Sequence, residues 1–189
     1  MIFTKADLKE YLKADKRQLG ISRKRPRPFT DEIWKFEIIL RKYEFYINNR
    51  GIFINLMRFF YKVKYHRMGI KLGIGIAPNT CGKGLSIAHI NGININPAAR
   101  IGENLRIQEC VTIGASRRGV PRIGDNVFLG FGCKVMGNAY IPDKCVVGAN
   151  SVVTKTIKEK GITVAGVPAR KINDKNSDDF VFWFKKQEN

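Results

Sequence analysis

Residues 123–153 read IGDNVFLGFGCKVMGNAYIPDKCVVGANSVV, and every sixth residue of this stretch, counted from Ile123, is aliphatic. Four residues after each aliphatic comes a small or apolar residue, and neither position is charged. The same register runs back through the chain to Ile95. The aliphatic position is held by Ile95, Ile101, Ile107, Ile113, Ile123, Leu129, Val135, Ile141, Val147 and Val153.

A period of six with one aliphatic and one small position is typical of a coiled parallel sheet. Each unit supplies a short strand and a corner, and stacked coils bury a column of identical side chains. A β-sandwich of short strands is the alternative, but it does not demand one register over ten units. The register slips once, between Ile113 and Ile123, where four extra residues predict a loop over Ala115–Arg122. The sequence therefore predicts a mainly β protein built on a parallel β-helix.

The chain divides into three parts. Residues 1–70 are basic and aromatic, with 17 Lys and Arg against 7 Asp and Glu, and they predict an α-helical region with one loop at Arg23–Pro28. Residues 71–172 form the repeat domain, and residues 173–189 form a C-terminal aromatic tail. One helix is expected to begin at Thr30 or Asp31. Its predicted apolar face consists of Ile33, Phe36, Ile39, Leu40, Tyr43 and Ile47.

The composition narrows the choice of partners. The 189 residues include 34 Lys and Arg and 16 Asp and Glu, and the formal charge of +18 favours a polyanion such as a phosphorylated cofactor, a nucleic acid or an anionic membrane. The four cysteines and two histidines show no zinc-binding spacing, so no metal is expected. The sequence shows neither a signal peptide nor ~18 consecutive apolar residues, and we expect a cytoplasmic protein.

Four motifs resemble the left-handed β-helix acyltransferases, and in particular their serine acetyltransferase branch. They are residues 84–92 (GLSIAHING), 111–115 (VTIGA), 147–155 (VGANSVVTK) and 166–170 (GVPAR). They follow one another in the family's order within residues 73–172. The resemblance implies a left-handed coil, a homotrimer, and acetyl-CoA as the donor of an acetyl group to a hydroxyl.

Transfer of an acetyl group to a hydroxyl needs a base, and histidine is the side chain whose ordinary pKa suits that task near neutral pH. His89 is the one histidine of the repeat domain. Counting back six residues from Ile95 reaches His89, so an imidazole stands where the register asks for an aliphatic side chain. A lone histidine is more often structural. The match of Ser86–Gly92 to the family's catalytic segment nevertheless makes His89 the expected catalytic residue.

The sequence departs from the family at the group that orients this imidazole. The family has a carboxylate one coil earlier, and the matching position here is Gly75. We therefore expect another group to orient His89. Glu109 or a backbone carbonyl are the two candidates, and the simpler interpretation of Glu109 is an exposed polar residue of its coil.

The resemblance also implies positions that flank the pantetheine arm of acetyl-CoA. Gly114 and Ala115 border the inserted loop, and a backbone N–H near Gly114 is expected to stabilise the oxyanion. Phe131 and Ala149 match positions on successive coils whose backbone groups line the arm. Simple packing at a corner is the alternative for these two residues.

Three further residues match polar and cationic positions near the adenine and phosphates of the cofactor. They are Thr154, Lys155 and Arg170. A lysine and an arginine beside a phosphate form charge-assisted hydrogen bonds. A solvated surface charge is the alternative for both cations.

Three departures from the family's sequence pattern indicate which hydroxyl compound accepts the acetyl group. In the family, the charged groups of serine are bound by a carboxylate that precedes the catalytic histidine and by an Arg-His pair at the end of the inserted loop. The matching positions of this sequence are Ala88, Gly119 and Val120. An ammonium or carboxylate group buried without a partner is costly. These departures favour a sugar hydroxyl of surface polysaccharide biosynthesis. Serine, in cysteine biosynthesis, is the alternative acceptor.

A basic nucleic-acid-binding protein is the rival from another class, suggested by the charge and by Arg23–Arg27. The chain has no recognised nucleic-acid motif, so no nucleic-acid partner is expected. The segment Ile52–Arg67 is apolar at one end and basic at the other. It fits contact with the inner face of a membrane, or support of the trimer, which we favour. The aromatic run Phe180–Phe184 is expected to dock on its own or a neighbouring subunit.

Overall fold

The sixfold register of the sequence becomes stacked short strands that follow three α-helices. A computed structural model describes residues 1–180. The helices are α1 (Lys5–Gln18), α2 (Glu32–Asn48) and α3 (Ile52–Leu72). The strands are β1 (Ile74–Ile76), β2 (Ser86–Ile87), β3 (Ile93–Ile95), β4 (Arg100–Ile101), β5 (Arg106–Ile107), β6 (Thr112–Gly114), β7 (Arg122–Ile123), β8 (Phe128–Leu129), β9 (Lys134–Met136), β10 (Tyr140–Ile141), β11 (Val146–Val147), β12 (Val152–Val153), β13 (Thr163–Gly166) and β14 (Ala169–Asn173).

The strands form a three-sided parallel coil. Face one contains β1, β3, β6, β9 and β12, face two contains β4, β7 and β10, and face three contains β2, β5, β8, β11, β13 and β14. The aliphatic of one coil lies beside the aliphatic of the next, as Ile123 does beside Ile141. Apart from the final antiparallel pair β13–β14, the strands pair in parallel. The predicted parallel β-helix with an α-helical N-terminal region is confirmed.

Both positions of the repeat point into the coil. The aliphatic column is at most 7% exposed from Ile95 to Val153, and the small position is also buried. Cys133 and Cys145 occupy small positions and are fully buried free thiols. Burial raises the pKa of Cys133 to about 12, so its thiol stays protonated. These cysteines act as small apolar residues of the core.

The inserted segment is a loop, as predicted. It leaves the coil after β6 and rejoins it at β7. Ser116 and Gly119 form an isolated antiparallel bridge, with mutual backbone hydrogen bonds of 2.9 and 3.1 Å. The four extra residues therefore bulge from the corner between face one and face two and leave the column of isoleucines intact.

The helical region contains two breaks instead of the single predicted loop. The second break is Asn49–Gly51, where Gly51 adopts a φ of 137° that side chains disfavour. Asp31 precedes α2 as expected, but its carboxylate does not cap the helix. It forms an ion pair with the Arg23 guanidinium instead and accepts a hydrogen bond from the Arg27 backbone N–H.

The predicted apolar face of α2 is only partly correct. Phe36 and Leu40 are fully buried, but three charged residues, Glu37, Arg41 and Glu44, are buried beside them. The Arg41 guanidinium donates to Asp15 on α1 at 2.7 Å and to Glu44 at 3.0 Å. It also donates to the backbone carbonyls of residues 81 and 82 on the first coil. A buried ionic network, which an apolar pattern cannot predict, therefore joins α1, α2 and the coil.

The described chain ends beside face three. A short 3₁₀ helix spans Ser177–Asp179, and the ring of Phe180 packs on that of Phe128 with 5.9 Å between centroids. Phe180 is thus in contact with its own subunit. The rest of the expected aromatic docking segment, residues 181–184, lies outside the described residues.

Candidate functional site

Two corners of the coil contain most of the predicted site residues. The first corner lies between face three and face one, where each coil places a residue two positions after a buried aliphatic. The second corner lies between face one and face two, at the ends of β6, β9 and β12. The first corner contains His89, Glu109, Phe131 and Ala149, and the second contains Gly114, Ala115, Thr154 and Lys155.

His89 does not occupy the interior aliphatic position, so that prediction was wrong. Ile87 does so, because it pairs with Ile107 in register and is 1% exposed. Eight residues separate Ile87 from Ile95 instead of six, and the corner that holds His89 is two residues longer than its neighbours. Asn91 and Gly92 complete this turn with positive φ values of 79° and 73°. The imidazole is exposed on this lengthened corner.

Backbone hydrogen bonds hold both ends of this corner. The Ala88 N–H donates to the Ile107 carbonyl at 2.8 Å, and the Asn91 N–H donates to the Leu72 carbonyl at 2.8 Å. The Asn91 carbonyl accepts from the Cys110 N–H at 3.0 Å. The corner is therefore tied to the next coil and to the last residue of α3.

A buried carboxyl from the helical region supports the strand before His89. Oε1 of Glu37 on α2 accepts the Ile87 N–H at 3.1 Å, whereas Oε2 is buried without a hydrogen-bond partner among residues 1–180. Burial, and secondarily the nearby Asp15 carboxylate, raise the pKa of Glu37 well above its ordinary range. Glu37 thus links the helices to the segment that contains His89.

The place of the family's orienting carboxylate is occupied by a neighbour. Gly75 pairs with Asn94, and a Cβ at position 75 would lie 2.6 Å from Asn94 Oδ1. A side chain there would collide with Asn94 as it stands. Within the described part of the chain, neither Glu109 nor a backbone carbonyl hydrogen-bonds to the His89 imidazole. Glu109 is half-buried, not exposed, and its buried Oε2 has no partner there.

Phe131 and Ala149 share the first corner with His89, on later coils. The Phe131 N–H donates to Gln108 Oε1 at 2.8 Å. The Asn150 N–H donates to the Phe131 carbonyl at 2.7 Å. The Phe131 side chain is 40% exposed. The structure therefore gives one exposed column that runs from the imidazole along successive coils.

The cationic residues gather elsewhere, around a cavity of about 330 Å³ at the end of the coil. Thr154 and Lys155 line it from the second corner, and Arg170 lines it from β14. Lys158 and Lys171 add two more cations. Lys171 is already paired with Glu159 of the same lining and with Asp174. Lys155, Lys158 and Arg170 have no ion-pair partner within residues 1–180, and these three cations suit phosphate groups. Gly114 and Ala115 lie on the same corner as Thr154 and Lys155, at the base of the inserted loop.

A second cavity, of about 360 Å³, lies between the first corner and the helices, and we call it the helix-side cavity. Ala88 and Ile90, the two neighbours of His89, form one wall. Trp34 lies in the opposite wall, with the carboxylates of Asp31 and Glu32. Arg106 on β5 contributes a guanidinium. The cavity thus offers both signs of charge and an aromatic surface beside the candidate base.

Comparison with known proteins agrees with the coil geometry. Residues 121–155 match the family model described as bacterial transferase hexapeptide (six repeats). Serine acetyltransferase of Staphylococcus aureus is 42% identical over 101 residues, which are 51% of this chain and 47% of that protein. The coil domain is thus similar to hexapeptide-repeat transferases. The chain spans about half the length of this relative.

Solved structures extend the likeness of the acyltransferase fold to the helices. Serine acetyltransferase from Brucella abortus superposes with a TM-score of 0.71 at 23% identity, covering 92% of this chain and 72% of that one. The same enzyme has been solved in complex with coenzyme A, with a TM-score of 0.65 at 24% identity over 90% of this chain and 68% of that one. The Neisseria gonorrhoeae enzyme, solved with serine, gives 0.67 at 25% identity over 89% and 70%.

The sequence interpretation missed the register of the corner that holds His89 and the side chains that surround it. Leu85 and Ile87 are two residues apart and both apolar, as in every regular unit, and this spacing was the available signal for the true register. The sequence did not indicate that Glu37 and Arg106 lie near this corner. Their proximity arises only where α2 packs against the coil.

Proposed function

We propose that the protein is an acetyl-CoA-dependent O-acetyltransferase with His89 as general base. The observation that carries this proposal is the exposed imidazole on a lengthened corner, in one column with Phe131 and Ala149. The later coils place Glu109, Phe131 and Ala149 at the same corner position on shorter corners, so the two-residue lengthening and the imidazole set this coil apart. The family match and the coenzyme A complex of the Brucella enzyme support acetyl-CoA as the donor.

In the proposed reaction, His89 accepts the proton of the acceptor hydroxyl as its oxygen bonds to the thioester carbonyl carbon. A backbone N–H near Gly114 stabilises the negative charge on the carbonyl oxygen. The carbon–sulfur bond then breaks, and the imidazolium returns the proton to the leaving thiolate. The products are an acetyl ester and coenzyme A. Lys155 and Arg170 hold phosphate groups of the donor.

The first and second corners of one chain border face one on opposite sides. We therefore assign the donor groove to neighbouring subunits of a homotrimer, so that the His89 column of one subunit faces the second corner of the next. Light scattering of the purified chain tests this assembly. A monomeric mass in the active preparation would contradict it.

Serine is the acceptor that the comparisons support best, since the relatives and structures described above are named serine acetyltransferases. The sugar expected from the sequence receives no such support. The helix-side cavity adds an argument for serine. Its lining includes Glu32 and Arg106, which supply both signs of charge beside Ala88, where the family's own carboxylate is missing, whereas the Asp31 carboxylate in the same lining is paired with Arg23.

A sugar remains the second candidate because of specific residues. Ala88, Gly119 and Val120 lack the charged groups that the serine enzymes present at these places.

An acceptor panel decides between them. Coenzyme A release is measured with the purified chain, acetyl-CoA, and either L-serine or a set of hexoses and N-acetylhexosamines. We expect turnover with serine and formation of O-acetylserine, detected by mass spectrometry. Turnover with a sugar but not with serine would identify the sugar as the acceptor. No turnover above hydrolysis with any acceptor in the panel would contradict the proposed acetyltransferase.

A further inference from the structure

The outward side of α3 is apolar along its whole length. Ile52 is 93% exposed, Phe59 67% and Ile70 70%. Ile52, Leu56, Phe59 and Val63 follow one another at spacings of four, three and four residues, and Ile70 comes seven later, so they share one side of the helix. The other exposed apolar residues of α3 are Phe53 and Phe60.

The inward side of α3 is fully used by packing. The Tyr65 ring stacks on Tyr43 with 5.3 Å between centroids, and its hydroxyl donates to the Ile76 carbonyl at 2.7 Å. Tyr61 stacks on Tyr46 at 5.2 Å. The contacts that fix α3 therefore come from one side, and the outward apolar side contributes nothing to the fold of the chain.

Cations border the outward apolar side. Helical spacing places Arg58 and Lys62 along one margin, Lys64 and Lys71 along the other, and Arg67 near its C-terminal end. Among the described residues, only Lys71 of these five has an ion-pair partner, Glu32 at 3.9 Å. The sequence contains no Asp or Glu between Glu44 and Glu103. Apolar and basic residues thus divide by side of the helix as well as by end.

We propose that α3 docks the protein on the surface of an anionic lipid bilayer. An apolar side with basic margins inserts among acyl chains while its cations reach the phosphate groups of the headgroups. None of the helices within residues 1–180 is long and apolar enough to cross a membrane, so the contact is peripheral. A second copy of the chain docked on this surface would place its own α3 cations next to those of the first copy, and the like charges would repel each other. A nucleic acid would leave the phenylalanines in water.

Docking would place the candidate active corner near the bilayer. The Asn91 N–H, two residues after His89, donates to the carbonyl of Leu72, the last residue of α3. The inference concerns attachment and does not rest on acetyl transfer. Its failure would leave the proposed reaction unaffected.

The test is co-sedimentation of the full chain with vesicles of phosphatidylcholine alone or mixed with phosphatidylglycerol. We expect partition onto the anionic vesicles only. Phe59→Ser should weaken it about tenfold, since a half-buried phenylalanine contributes about that factor. Lys62→Glu with Lys64→Glu should weaken it at least about 30-fold, because each cation near an anionic surface contributes a factor of about five.

Matched controls separate the α3 surface from bulk properties. Phe29→Ser removes a phenylalanine that is even more exposed than Phe59, at 93%, in the loop before α2. Lys24→Glu with Arg25→Glu makes the same change of net charge in that loop. Both controls should partition like the parent. Thermal unfolding of every variant verifies that the fold is kept.

Three outcomes would overturn the proposal. Equal losses in controls and α3 variants would mean attraction by net charge alone. Absence of vesicle binding, with a smaller oligomer for Phe59→Ser in light scattering, would assign the surface to a second copy. Binding of a single-stranded oligonucleotide that Phe59→Ser leaves unchanged, without vesicle binding, would assign it to nucleic acid.

Discussion

At the scale of single residues, the proposed function depends on one corner of the coil. Two extra residues between Ile87 and Ile95 lengthen the exposed corner on which His89 lies. His89 could be proposed as the base from its motif. Its exposure could not be predicted by counting sixes back from Ile95, because the count assumes that every corner has the same length.

Glu37 yields a prediction on the pH dependence of stability. Its folded pKa is raised, so the folded state binds more protons than the unfolded state above pH about 4.5, the ordinary value. The stability of the parent therefore declines through this carboxyl as pH rises toward the folded pKa. Glu37→Gln keeps an oxygen for the Ile87 N–H and removes the ionisation.

We expect the unfolding free energy of Glu37→Gln, relative to the parent, to increase as pH is raised from 4.5 to 8. Denaturant unfolding at a series of pH values measures this difference. A difference that stays constant over the range would show that the carboxyl does not titrate as the structure implies.

At the scale of elements, the register of the coil followed from sequence and the attachment of the helices did not. The isoleucine column is a local, repeated pattern, and the structure reproduces it from β3 to β12. Helix α2 faces the coil with Glu37, Arg41 and Glu44 as well as with Phe36 and Leu40. Their partners lie on other elements, and only the fold brings them together.

Arg41 is the centre of that attachment. It is fully buried between the carboxylates of Asp15 and Glu44, which are 2% exposed. Replacing one partner of a buried network leaves the others charged and unpaired, which costs about 3–5 kcal/mol. Arg41→Met should therefore lower the free energy of unfolding by about that amount.

Arg23→Met is the matched control, because Arg23 pairs with Asp31 at the partly exposed surface. Its loss should cost about 1 kcal/mol or less. Urea denaturation monitored by circular dichroism measures both variants. Equal losses for the two arginines would contradict the central role of the buried network.

At the scale of the whole molecule, two surfaces gather part of the positive charge behind the formal net charge of +18. One is the cationic cavity of Lys155 and Arg170, assigned to the phosphates of the donor. The other is the basic margin of α3, assigned to lipid. The sequence predicted an anionic partner but could not locate these surfaces, because net charge carries no position. The choice of acceptor also depends on the whole molecule, because the helices and the coil together form the helix-side cavity.

The most direct test of the account compares the two histidines. Coenzyme A release with the acceptor identified above is measured for the parent, His89→Ala and His66→Ala, the second of which removes an exposed imidazole from α3. Loss of a general base should lower turnover of His89→Ala by at least ~100-fold, with unchanged thermal unfolding and with His66→Ala like the parent. Full turnover by a folded His89→Ala would contradict the assignment of the base and, with it, the proposed mechanism.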